Sequence, residues 1–72
     1  MTLDNVPLMQ TVEVVSLNPN WVLSRRLLDL GLISGTKVTP IFVSPSGDPT
    51  AFEFRGSVIA IRIEDCREIT VK

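Results

Sequence analysis

The chain has no histidine and no tyrosine, and its 72 residues include one cysteine, Cys66. The missing imidazole removes the usual general base and the commonest metal ligand at neutral pH. Serines such as Ser24 and Ser46 then have no evident base to activate them as nucleophiles. Soft-metal ligation would rest on Cys66 alone, and one thiolate does not make a zinc or iron site. That thiol sits among Glu64, Asp65 and Glu68, whose charges raise its pKa and suit a buried or idle role. A lone cysteine excludes an internal disulfide and fits a reducing compartment. The remaining acids, among them Asp48 and Glu53, follow no EF-hand pattern and read as solvated surface groups. Gly47-Asp48-Pro49 lacks the further glycines and the Lys-Ser/Thr pair of a phosphate loop, and reads as a turn. No apolar run approaches the roughly 18 residues of a membrane helix. The opening Met1-Thr2-Leu3-Asp4-Asn5 carries an acid where a secretory leader carries lysine or arginine. These absences predict a cytoplasmic binding protein that is not an enzyme, needs no cofactor and inserts no segment into a membrane.

Charge is balanced. Seven basic and eight acidic residues leave a net charge of −1, and Arg25-Arg26 is the only basic pair. A partner held through phosphates calls for a basic surplus or stripe, so a nucleic-acid partner is not expected. A chain this short supports a single core spanning residues 1–72, with a stability margin of roughly 3–5 kcal/mol. An apolar fraction of 44% shows how much of the sequence serves that core.

The order of elements follows from local patterns. Gln10 to Leu17 is rich in β-branched residues and reads as a strand. Asn18-Pro19 then offers a cap and a first helical position for a helix over about Asn20 to Leu30. Gly31 suits the left-handed residue that ends a helix, with Leu32 folding back on Leu27. Strands are expected at Lys37 to Val43, where Pro40 implies an edge or a bulge, at Thr50 to Arg55, at Ser57 to Ile63 and at Glu68 to Lys72. The Ser44 to Pro49 cluster must be a loop and Gly56 a tight reversal. Five strands and one early helix imply a mainly β domain, a small barrel closed on itself with the helix inserted after the first strand.

The helix is the best-specified feature. At about 100° per residue, Leu23, Leu27 and Leu30 share a stripe suited to the core. Trp21 and Leu28 share another side, with Arg25 beside them. Trp, Leu and Arg adjacent on a surface are residue types of binding hot spots; a tryptophan at the end of a small barrel serves equally to complete its core. Arg25 and Arg26 read equally as solvated helix charges.

Arg26-Leu27-Leu28-Asp29-Leu30-Gly31-Leu32, followed by Gly35 and Val38, resembles the RLxxLGLxxGxxV signature of the ferrous iron transport protein A (FeoA) family. The likeness continues through Pro45, Gly47, Asp48 and Pro49, through Gly56, and through Ala60-Ile61-Arg62. The chain departs from the family pattern in lacking a glycine within Val6 to Gln10 and in placing Ser57 where an aromatic often follows the turn. The resemblance implies an SH3-like barrel that acts in the cytoplasm by binding FeoB, the membrane ferrous-iron transporter with a cytoplasmic G-protein domain. On that footing Trp21, Arg25, Arg26 and Leu28 are the expected partner-binding residues. Leu27, Leu30, Gly31, Leu32, Gly35, Gly47, Asp48, Pro49 and Gly56 are the expected structural motif. A metal-sensing domain with weak transition-metal affinity and a nucleic-acid-binding SH3-like module stand as alternatives, and a homodimer is left open.

Overall fold

Residues 1–72 are described by a computed structural model. The β-branched run forms β1 (Val12–Leu17), which places Val12 and Val14 inward; a register shift between Val14 and Ser16 then resets the alternation, so that Leu17 turns toward the core. The chain next makes a helix α1 (Ser24–Asp29), then β2 (Lys37–Val43), β3 (Thr50–Phe54), β4 (Ser57–Ile61), a second helix α2 (Ile63–Cys66) and β5 (Ile69–Val71). A short 3-10 turn at Leu3–Asn5 precedes them.

The strands form one antiparallel sheet in the order β4-β3-β2-β1-β5. The mainly β, SH3-like architecture is as expected. Ring closure by strand pairing is not: β4 and β5 lie at opposite ends of the sheet, and α2 carries the chain between them. Pro40 sits beside a register shift in β2, between Pro40 and Phe42, where the missing N–H is tolerated. The strand expected over Ser57 to Ile63 ends at Ile61, and Ile63 opens α2 instead of continuing the isoleucine alternation.

The core gathers 13 residues from every strand, from α1 and α2, and from the 3-10 turn. Phe52, Leu32, Val38 and Ile69 are almost fully enclosed, and the apolar face of the curled sheet supplies most of the rest. Burying each such side chain contributes about 1.5–3 kcal/mol. Cys66 lies in this core, not in a site. Its thiol is pushed up to about 12, first by burial and then by the carboxylates of Asp4, Asp48 and Asp65.

Candidate functional site

Helix α1 is shorter at its start than the sequence suggests. Asn18 does not cap it: its Oδ1 accepts the Asn20 N–H at 3.0 Å, and its Nδ2 donates to Glu68 Oε1 at 2.7 Å. Two successive turns follow, Trp21 N–H to the Asn18 carbonyl and Ser24 N–H to the Trp21 carbonyl, each 3.0 Å, before the helix begins at Ser24.

Its end is as the glycine implies. Gly31 takes φ +103°, its N–H donates to the Leu28 carbonyl at 3.0 Å, and the Leu32 N–H reaches the Leu27 carbonyl at 2.9 Å. These are the paired bonds of a Schellman stop, with Leu27 and Leu32 both buried beneath it. The Gly31 carbonyl then accepts two further donors, Thr36 Oγ1–H at 2.9 Å and Arg55 Nε–H at 3.0 Å. The helix stop is thereby tied to the segment before β2 and to the tip of the β3–β4 hairpin. Gly35, at φ +91°, donates its N–H to the Val14 carbonyl at 2.8 Å.

The second motif segment also holds shape. The Asp48 carboxylate accepts the Ile63 N–H at 2.9 Å and so caps α2 from 15 residues away. Gly47 turns the loop at φ +91°, the Asp48–Pro49 peptide is cis, and the Pro49 carbonyl accepts the Ser44 N–H at 3.0 Å. Gly56, at φ +77°, completes the two-residue turn between β3 and β4.

The expected contact residues separate into two groups. Trp21 is only 8% exposed and packs in the core, with its indole N–H donated to Asp65 Oδ1 at 3.0 Å. Leu28 is 40% exposed, and Arg25 and Arg26 lie in solvent, Arg25 pairing with Asp29 at 3.3 Å. The core stripe needs one correction. Leu27 is buried and Leu23 half-buried, but Leu30 is 51% exposed, because the helix ends at Asp29 and the chain turns at Leu30 before another inward position is reached. The exposed surface of α1 and its stop is therefore Arg25, Arg26, Leu28, Asp29 and Leu30.

An open cleft of about 350 Å³ lies between this helix and β4, lined by Leu23, Arg26 and Leu27 on one side and Ile59 to Arg62 with Asp65 on the other. The sequence signalled neither the cleft nor the part of Arg62 in it, because both depend on how α1 packs across the sheet. Histidine, cysteine and carboxylate side chains nowhere gather in a group of three or more that could hold a metal ion.

A family model described as the FeoA domain matches residues 1–72. Among solved structures, the FeoA protein from Chlorobium tepidum is 32% identical and superposes with a TM-score of 0.90, over 99% of this chain and 68% of its own. The FeoA-like protein from Clostridium acetobutylicum is 28% identical, with a TM-score of 0.90 over 100% of this chain and 84% of its own. FeoA from Stenotrophomonas maltophilia, complexed with zinc, is 29% identical, with a TM-score of 0.89 over 100% of this chain and 89% of its own. It is described as a prokaryotic SH3 domain protein and a candidate activating factor of bacterial ferrous iron transport. A search of curated proteins finds no match.

Proposed function

Because the chain belongs to the FeoA family of ferrous iron transport accessory proteins, we propose that it works in the cytoplasm by docking on the G-protein domain of a FeoB-type transporter, without catalysis of its own. The observation that carries this reading is the exposed face of α1. A half-exposed leucine, Leu28, stands beside the solvated Arg25 and Arg26 on a helix whose end is fixed by the Schellman stop. Little ordering entropy remains to be lost there on binding, which favours a small contact. Trp21, just before α1, is buried and ties the chain there to Asp65 of α2.

The test is a titration of the transporter's cytoplasmic G domain with this protein and with Leu28→Ala and Arg25→Glu. Removing an exposed side chain that anchors an interface weakens binding about tenfold or more, while urea unfolding shifts by less than about 0.5 kcal/mol for surface substitutions of this kind. Undiminished binding by both variants would remove the α1 face from the contact.

A further inference from the structure

Strand β4 is the bare edge of the sheet. Its only strand neighbour is β3. The other edge, β5, is covered by the start of the chain: Thr2 bridges Thr70, and the Val71 N–H donates to the Met1 carbonyl at 2.8 Å. The β3–β4 hairpin closes on Phe54 opposite Ser57, with Phe52 opposite Ile59 and Thr50 opposite Ile61. In a two-residue hairpin the closing pair exchanges both hydrogen bonds, and bonded pairs recur at every second residue. The backbone N–H and C=O groups of Val58 and Ala60 therefore point away from β3. No bond outside the regular ladders uses them. Ser57 to Ile61 also carries none of the charges or prolines that usually blunt an exposed edge, and Val58 is 59% exposed.

The cleft between α1 and β4 runs beside this edge. Its walls are apolar at Leu23, Leu27, Ile59 and Ile61, and it carries Arg26 and Arg62. Both arginines are exposed. The ion pairs within the chain engage Arg25 and Arg67, and the remaining arginine bond is that of Arg55, so neither Arg26 nor Arg62 has a partner. The one acid in the lining, Asp65, already receives the Trp21 indole N–H.

We propose that β4 and this cleft take an extended acidic segment of a partner protein as an added strand. Its backbone pairs with Val58 and Ala60, and its cleft-facing side chains include both apolar groups, which enter the cleft, and carboxylates, which meet Arg26 and Arg62. A free edge supplies main-chain affinity, and the pockets beside it supply side-chain selection. Charge sets the choice of occupant. A second copy pairing β4 to β4 would bring no carboxylate between Ser57 and Ile61, and both arginines would stay unmatched. This inference goes beyond the α1 docking face and does not require it.

The test is an NMR titration of the isotope-labelled chain with a capped eight-residue peptide of the repeat valine-valine-glutamate-glutamate, which puts both residue types on each face of the extended chain, and with its counterpart in which lysine replaces glutamate. The expected result is movement of the Val58, Ala60, Arg26 and Arg62 amides with the glutamate peptide, and at least tenfold weaker binding of the lysine peptide. Ala60→Pro deletes an outward N–H without touching the β3 ladder and should abolish the response. The double variant Arg26→Glu/Arg62→Glu changes only exposed side chains and decides the matter if the proline variant does not fold; it should reverse the peptide preference. Equal binding of both peptides, shifts away from β4, or no response at millimolar peptide would each overturn the proposal. So would concentration-dependent changes at β4 without peptide, which would put a second copy on the edge. Transporter-domain binding that survives Ala60→Pro, alongside a silent peptide, would leave the α1 face standing and remove only the added strand.

Discussion

Replacing Gly31 by alanine tests how the helix stop is built. Gly31 holds φ +103°, outside the range an L-residue adopts freely, and a Cβ there would lie 2.7 Å from Arg55 Cδ and 3.1 Å from its Nε. The arginine side chain is flexible and can swing aside, but only by surrendering its 3.0 Å bond to the Gly31 carbonyl. The left-handed backbone costs about 1–2 kcal/mol, and the lost bond about 0.5–1.5 kcal/mol. Together they remove about 1.5–3.5 kcal/mol from a margin of roughly 3–5 kcal/mol. At about 4–8 °C per kcal/mol for a chain of this size, the midpoint should fall on the order of 10–20 °C. Trp21 is the only tryptophan and is buried, so its fluorescence follows urea or thermal unfolding directly. The Arg55→Ala background separates the two contributions: there Gly31→Ala should cost only the backbone part, about 1–2 kcal/mol. Equal losses in both backgrounds would refute the Arg55 contact. A loss below about 0.5 kcal/mol in the native background would refute the backbone argument as well.

Two further outcomes follow from other parts of the fold. Asp48→Ala should destabilise by about 1 kcal/mol, the usual worth of a side-chain cap, because the Ile63 N–H loses its acceptor; Asp48→Asn keeps an acceptor oxygen and should lose less, and equal urea midpoints for both variants would rule out the cap. Cys66 gives a pH signature: burial raises its thiol from 9.0 to about 12, so the folded state holds the proton more tightly than the unfolded state. Its contribution to stability is whole below pH 9 and drains away as pH rises toward 12. Urea midpoints measured from pH 8 to 11 should fall less steeply in Cys66→Ala, and an identical fall would place the thiol in water.

What could be read from the chain was whatever depended on near neighbours. Lys37–Val43 is a strand with the bounds its β-branched residues suggest, and the stop at Gly31 is local chemistry that no distant contact can replace. The start of α1 is not local chemistry, because Asn18 has two uses. It can cap a helix, but here its amide is drawn to Glu68, across 50 residues, while its oxygen closes a turn on Asn20. Helix α2 was hidden in the same way. Ile59, Ile61 and Ile63 alternate as in a continuing strand, and what ends the strand is followed by a cap from Asp48, which no local pattern shows. The exposure of Leu30 and the α1–β4 cleft likewise depend on where the helix ends and how it packs.

The residues that carry the family resemblance are mainly those that hold the shape. Leu27, Gly31 and Leu32 make the stop, Gly35 bonds to β1, Asp48 caps α2, and Gly56 turns the hairpin. Most of these groups are buried or committed to internal hydrogen bonds, so the motif fixes a rigid frame before any partner arrives. On the proposed reading, choice of partner falls to groups the frame leaves exposed: the guanidinium groups of Arg25 and Arg26, the side chain of Leu28, the outward amides of Val58 and Ala60, and Arg62. Substitutions at the first set should change stability and carry binding down with it. Substitutions at the second set should change binding alone, and that separation distinguishes a docking surface from a scaffold.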